Sequence, residues 1–143
     1  FQCALGISQL KRLPEFVQRR RAIAAYYDGS LASLKGITPL AVSPEVVHSY
    51  HLYVVKIDSS VLCTDRDTVF RELRAENIGV NVNYMPVYLH PYYRDLGYEK
   101  GLCPVAEEAY EMIISLPLFY GMSESDASDV IHAVKKVVQH HTK

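Results

Sequence analysis

Apolar residues recur at helical spacing through the first part of the chain. They repeat every seven positions from Leu10 to Leu31, and further apolar side chains widen the stripe. Pro14 interrupts the stripe, and a proline inside a helix kinks or breaks it. The pattern therefore predicts either two helices in series, meeting at Leu13 and Pro14, or one kinked helix.

The middle of the chain predicts a loop, a strand, a helix and a second strand. Residues 36–49 contain glycine, proline and serine and indicate a loop, whereas residues 50–58 are rich in β-branched and aromatic side chains. The Thr64-x-x-Asp67 pattern is typical of a helix start. We expect Gly79 to end that helix in the left-handed conformation, and residues 79–84 to form the next strand.

The last third predicts two helices around a short strand. Pro104 suits the first position of a helix, which we expect to continue to Ile114. Residues 115–119 follow as an edge strand, because Pro117 cannot donate to a neighbouring strand. Ser123 and Asp126 then start a final helix with an apolar face, and residues 139–143 are expected to fray.

These elements indicate the α+β class. We predict a small, mainly antiparallel sheet of about three strands, covered by helices on one face. The chain starts at Phe1 rather than at methionine, in a stretch that already has a helical pattern. We therefore expect it to be a piece of a longer protein.

Composition excludes several function classes. Charged residues make up 22% of the 143 residues and the formal net charge is −1, so no basic footprint for nucleic acid or an anionic membrane exists. We interpret the one basic cluster, residues 19–21, as a solvated helix face. Cys3, Cys63 and Cys103 lack close spacing, which argues against a disulfide framework or a structural zinc site. No run of about 18 apolar residues and no signal-peptide pattern occurs.

A search for chemistry finds no self-sufficient catalytic centre. Neither a glycine-rich phosphate loop nor an HExxH motif is present. His48 and His51 form an H-x-x-H, but without a nearby acidic or thiol partner we interpret them as an edge position rather than a metal site. No lysine has a sequence context that would activate it for a Schiff base.

One segment stands apart, and we name residues 81–95, "NVNYMPVYLHPYYRD", the tyrosine segment. It is predicted to be a loop, since its two prolines disfavour a buried strand or an easy helix start. Tyrosine rings with hydroxyl tips suit sugars, which offer both C–H faces and hydroxyls. The alternative is that these rings simply pack a long connection onto the domain.

Several stretches of the chain together resemble a known family. The stretches "NIGVNVNYMPVYLHPYYRDLGYEKG", P-x-A-E at 104–107 and "ISLPLF" at 114–119 look like the C-terminal part of DegT/DnrJ/EryC1/StrS aminotransferases. The resemblance covers essentially the whole chain. It is nearest to the pseudaminic-acid-pathway branch, the UDP-4-amino-4,6-dideoxy-N-acetyl-altrosamine transaminases.

The resemblance implies a cytoplasmic, pyridoxal phosphate-dependent homodimer of fold type I. Such an enzyme transfers the amino group of glutamate to a UDP-linked 4-keto-6-deoxy sugar in surface-glycan biosynthesis. Residues 1–35 would be connecting helices and residues 36–143 the small C-terminal domain. The large cofactor-binding domain, with the catalytic lysine, would lie upstream, so no catalytic or cofactor-binding residue is expected in this chain, and the fragment alone is expected to be inactive.

The resemblance also implies which residues face the substrate. By this resemblance, five residues of the tyrosine segment are expected to contact the substrate: Tyr84, Met85, Pro86, Val87 and His90. Pro91 to Tyr93 are interpreted as packing residues, and His51 as mainly structural. Many relatives have histidine at the positions of Asn83 and Tyr88 and glutamine at that of His90, which alters the hydrogen-bond donors and leaves the sugar open.

Two alternatives remain. A relative with histidine in place of the upstream lysine would be a sugar dehydratase, and a stand-alone chain would be a non-catalytic α+β binding module. As a piece of a longer protein, the chain would expose helix faces that are built to meet the large domain and the second subunit. We therefore predict self-association through residues 1–34.

Overall fold

The computed structural model describes residues 1–142 and confirms the α+β class. It contains five α-helices, one 3-10 turn and three strands. In chain order they are α1 (Gln2–Leu31), β1 (Ile37–Pro39), β2 (Tyr53–Ile57), α2 (Arg66–Ala75), the 3-10 turn (Val87–Leu89), α3 (Pro91–Asp95), α4 (Pro104–Met112), β3 (Ile113–Leu116) and α5 (Glu124–His141).

The three strands form an antiparallel sheet in the order β1-β2-β3. Tyr53 pairs with Leu116 and Ile57 with Ile37. Alternate side chains of β2 are buried, because successive residues of a strand point to opposite faces. The core lies between this face and the apolar stripes of α1, α2 and α5, which include Val69, Leu73 and Val134.

The first helix is continuous, so the alternative of two helices in series is wrong. Pro14 lies inside α1, where it lacks the N–H for one helical hydrogen bond. Docking of the second half supports the helix: Ile23, Ala24, Tyr27 and Leu31 are buried. Residues 1–15, by contrast, are exposed throughout.

Arg19 and Arg20 also attach α1 to neighbouring loops, which corrects the interpretation of these two residues as a solvated face, whereas Arg21 is exposed as predicted. Arg19 donates to the carbonyl of Met122 at 2.8 Å, and Arg20 donates to the carbonyl of Tyr50 at 2.8 Å. Arg20 also reaches the carbonyl of Leu118 at 3.2 Å. Bare carbonyls at loop ends attract guanidinium groups because they are acceptors without a strand or helix partner.

Three predicted helix boundaries are wrong by one or two residues. α4 ends at Met112 rather than at Ile114, because residues 113 and 114 pair with β2. The N-cap of α2 is Asp65 rather than Thr64, since the Asp65 carboxylate accepts from the Thr68 amide at 2.8 Å. The left-handed residue after α2 is Asn77, with φ of 62°, and not Gly79. Asparagine tolerates this conformation better than most residues. The capping box of Ser123 and Asp126 at α5 is confirmed.

The strand predictions are correct in number but not in membership. β1 lies inside the segment 36–49 that was predicted to be a loop, and residues 79–84 make only one isolated bridge, Asn81 to Ser115. β3 is an edge strand as predicted, but it occupies 113–116 rather than 115–119. It ends before Pro117, which has no amide hydrogen for the ladder.

The C-terminal end is ordered further than predicted. α5 continues to His141, whose ring lies 2.8 Å from the Glu72 carboxylate, and Thr142 bridges to Leu62. The expectation of fraying over 139–142 is therefore wrong, and Lys143 lies outside the described residues. Within residues 1–142, no helix has the length and apolarity needed to cross a membrane.

Candidate functional site

The tyrosine segment is folded rather than an open loop, which corrects the prediction. It contains the 3-10 turn and α3, with Pro91 at the first helical position and His90 as N-cap. The His90 carbonyl accepts from the amides of Tyr93 and Arg94 at 3.0 and 3.1 Å. Proline is compatible with a helix start because its fixed φ suits the first turn, whose amides have no intrahelical acceptor.

Of the five predicted substrate-contact residues, Tyr84, Met85 and Pro86 precede the 3-10 turn, Val87 begins it and His90 follows it. Tyr84 is 73% exposed and Val87 is 61% exposed, and His90 is also exposed. Met85 and Pro86 are half-buried. A ligand can therefore reach Tyr84, Val87 and His90 from solvent, while contact with a substrate stays a prediction.

The buried carboxylate of Glu107 is hydrogen-bonded to Tyr88 of the 3-10 turn, a contact that the sequence analysis did not predict. The Tyr88 hydroxyl donates to Glu107 Oε1 at 2.5 Å, and the Gly101 amide donates to the same oxygen at 2.7 Å. The Cys103 amide donates to the Tyr88 hydroxyl oxygen at 3.2 Å. Glu107 is only 6% exposed, which is unusual for a carboxylate. A single sequence offers no signal for this contact, because its partners are far apart in the chain.

These contacts set the protonation states of the pair. The hydrogen bond from Tyr88 lowers the pKa of Glu107, with further lowering by the Gly101 amide, while burial opposes both. Burial raises the pKa of Tyr88 to about 12, and its hydrogen bond to Glu107 adds to the effect. At neutral pH, Glu107 is therefore an anion and Tyr88 a neutral hydrogen-bond donor.

The second half of the tyrosine segment is more open than predicted. Tyr92 is 70% exposed, so its interpretation as a packing residue is wrong, whereas Tyr93 packs edge-on against Tyr92 and Tyr98. An open concavity of about 760 Å³ lies beside α3. It is lined by Leu89 and Tyr98 and by four charged residues of both signs: Arg94, Asp95, Glu99 and Lys100. This balance favours no single charged ligand.

The two histidines of the H-x-x-H have local roles. His48 Nδ1 accepts from the Tyr50 amide at 3.2 Å, and the two rings meet edge to face. The His51 side chain is exposed, while its backbone carbonyl accepts from Arg20 at 3.2 Å. Among the described residues, no group of three potential metal-ligating side chains comes together. Cys3, Cys63 and Cys103 are free and exposed.

The described residues do not fit a pyridoxal phosphate site. A Schiff-base lysine needs a desolvated or charge-tuned pocket. The described lysines are exposed or half-buried, and Lys136 forms an ion pair with Glu76 at 2.7 Å. The described lysines therefore do not provide a site for a Schiff base with the cofactor. The expectation that the catalytic lysine lies elsewhere stays a prediction.

Comparison with known proteins adds what the geometry lacks. The family model described as "DegT/DnrJ/EryC1/StrS aminotransferase family" matches residues 1–135. Among curated relatives, the chain is 33% identical to a UDP-4-amino-4-deoxy-L-arabinose–oxoglutarate aminotransferase of Shewanella sediminis, covering 95% of this chain and 37% of the relative. The chain spans about a third of the length of the curated relatives it matches.

Solved structures share the fold over nearly the whole chain. A putative sugar aminotransferase of Streptococcus pneumoniae, Spr1654 in its PLP form, matches with a TM-score of 0.85 and 34% identity, covering 95% of this chain and 34% of that one. Helicobacter pylori PseC, an aminotransferase of pseudaminic acid biosynthesis, matches with a TM-score of 0.87 and 28% identity, covering 97% and 37%.

Proposed function

Because the chain belongs to the DegT/DnrJ/EryC1/StrS aminotransferase family, we propose that it is the small C-terminal domain of a sugar aminotransferase. The observation that carries the proposal is the match of 95% of this chain to 34% of the Spr1654 chain, at a TM-score of 0.85. A unit of that relative size fits a small domain that follows a larger one. Residues 1–35 would connect it to a preceding cofactor-binding domain, and residues 36–143 would form the small domain itself.

The proposed reaction is transfer of an amino group from glutamate to a UDP-linked 4-keto-6-deoxy sugar, with pyridoxal phosphate as cofactor. Three observations support it. The Shewanella relative is named for a UDP-linked amino sugar and oxoglutarate, the Spr1654 structure contains the cofactor, and PseC acts in pseudaminic acid biosynthesis. The cofactor carries the amino-transfer chemistry, and the protein supplies binding and orientation. A surface glycan of the pseudaminic acid type is the proposed destination of the product.

In this enzyme the tyrosine segment would form one wall of the sugar pocket. The exposed ring of Tyr84 would cover a C–H face of the sugar, and its hydroxyl would reach a sugar hydroxyl. Pro86 has a fixed φ just before the 3-10 turn, so little conformational entropy is lost when a ligand binds there. Met85, Val87 and His90 would complete the wall.

The homodimer and the cytoplasmic location are proposed on the resemblance alone. They concern the whole enzyme rather than the geometry of this chain. Sedimentation of the longer protein would test the first, and fractionation of the source cell would test the second.

The test of the proposed function uses the longer protein that contains this chain. Supplied with pyridoxal phosphate, glutamate and a UDP-linked 4-keto-6-deoxy sugar, it should release 2-oxoglutarate and an amino sugar, and borohydride should abolish its Schiff-base absorbance. The 143-residue chain alone should show neither activity nor that absorbance. Turnover by the short chain would contradict the proposal, and dehydration of the sugar by the longer protein would favour the dehydratase alternative.

A further inference from the structure

The tyrosine segment is attached to the body of the domain by few contacts. Between residues 82 and 99 the backbone hydrogen bonds are local, such as Leu89 to Pro86 at 2.9 Å. Among the described residues, the core contains no side chain from this stretch. The hydrogen bonds that leave the stretch belong to Tyr88, which reaches Cys103 and Glu107. Asn81, at the start of the tyrosine segment, is paired with Ser115, and Tyr88 is the polar anchor of the residues that follow it.

Glu107 accepts the hydrogen bond of Tyr88 in a buried and preorganised position. Its buried carboxylate oxygen accepts from the Tyr88 hydroxyl at 2.5 Å and from the Gly101 amide at 2.7 Å. Gly101 has φ of 100°, a conformation that side chains rarely adopt, so glycine lets the loop before α4 turn its amide toward Glu107. Hydrogen bonds to an ionised acceptor are about twice as strong as neutral ones. Glu107 thus fixes two separate stretches at one atom.

We propose that Glu107 and Tyr88 form a positioning pair for the sugar wall. Tyr88 is the central residue of the 3-10 turn, flanked by Val87 and followed two positions later by His90. Fixing its hydroxyl against α4 therefore fixes the orientation of both neighbours toward the ligand. The ligand is that of the proposed function, on which this inference rests, whereas the anchoring geometry stands independently of it.

The first experiment measures order in the 143-residue chain itself, by amide hydrogen exchange followed by NMR. Glu107→Gln and Tyr88→Phe each preserve side-chain size but remove the ionised acceptor or the donor. Each should speed exchange at Gly101, Leu89 and His90 by about tenfold, because a charge-assisted bond then no longer opposes local opening. Exchange at core residues such as Val55 should not change.

Matched controls and a double variant sharpen this result. Glu108→Gln alters an exposed neighbour of Glu107, and Tyr92→Phe alters a tyrosine that is 70% exposed. Both should leave exchange unchanged. The double variant of Glu107 and Tyr88 should be no worse than either single variant, since residues that act through one contact are not additive. Faster exchange at Gly101 without any change at Leu89 and His90 would overturn the proposal.

The second experiment asks whether the pair serves substrate binding in the longer enzyme. Glu107→Gln and Tyr88→Phe should raise KM for the nucleotide sugar about tenfold while kcat for saturating substrate stays within about twofold. Glu108→Gln should change neither. An active enzyme with unchanged KM in both variants would refute the positioning role. An enzyme without any transamination would refute the proposed function instead, and hydrogen exchange would still decide whether the pair anchors the segment.

Discussion

The second half of α1 should be as important to stability as any part of the sheet, and Tyr27 tests this directly. Its side chain is fully buried, and its ring meets that of Tyr53 edge-on, with centroids 5.0 Å apart. Its hydroxyl donates to the Pro117 carbonyl at 2.9 Å. Burial raises the pKa of this hydroxyl, so it remains a neutral donor. Two substitutions separate the ring from the hydroxyl.

The expected magnitudes follow from these contacts. Tyr27→Phe keeps the ring and loses one hydrogen bond while leaving a carbonyl without its partner, which should cost about 1–2 kcal/mol. Tyr27→Ala removes a fully buried aromatic ring and should cost about 3–5 kcal/mol. Tyr26 is the matched control, because it is adjacent on the same helix but 44% exposed. Tyr26→Phe should change stability by less than about 0.5 kcal/mol.

Urea unfolding followed by circular dichroism measures the free energy of unfolding of each variant. The comparison requires that the dependence of this free energy on urea concentration, the m-value, is the same in all variants. In a thermal melt, each kcal/mol should lower Tm by about 3–4 °C for a domain of this size. If Tyr27→Ala proved as mild as the control Tyr26→Phe, α1 would not be part of the core. The assignment of Ile23, Tyr27 and Leu31 to one packed unit with the sheet would then be refuted.

Three further predictions follow from the helix ends and the exposed helix. Ser123→Ala should cost about 1 kcal/mol by loss of the N-cap, and the deficit should shrink below about pH 4. The hydrogen bond from Ser123 lowers the pKa of Asp126. A carboxylate with a lowered pKa stabilises the folded state only while it is ionised, so this stabilisation is lost as the pH falls through the pKa of Asp126 in the folded protein. A destabilisation by Ser123→Ala that was the same in urea titrations at pH 3 and at pH 7 would contradict this. Asp65→Ala should destabilise the fold more than Thr64→Ala by the same assay, and equal effects would refute the observed cap. Deleting residues 1–10, which are wholly exposed, should leave Tm nearly unchanged and reduce self-association in light scattering; a large fall in Tm would show that these residues pack.

The sequence predicted elements with a strong periodic pattern and failed where tertiary contacts decide. The stripe of α5 and its capping box were predictable because both signals are local. β1 was not, because its three residues become a strand only through pairing with β2. Residues 79–84 have a strand-like composition, yet they contribute only a single bridge, from Asn81 to Ser115 of β3.

The candidate site shows the same division. The aromatic composition of the tyrosine segment and its resemblance to the family could be recognised from the sequence alone. The role of Glu107 was not, because it depends on a contact with Tyr88 across 19 positions. The solvated-face interpretation failed for Arg19 and Arg20 for the same reason, because the carbonyls that accept their hydrogen bonds lie in distant loops.

A crystal structure of the longer enzyme with a bound UDP-linked amino sugar tests the central claim most directly. We predict that sugar carbons lie within about 4 Å of Tyr84 and of the 3-10 turn that follows Pro86, which is ordinary contact distance. We also predict that the hydrogen bond between Tyr88 and Glu107 persists in that complex. A sugar bound in the active site with Tyr84, Pro86, Val87 and His90 all more than about twice that distance away would contradict the account.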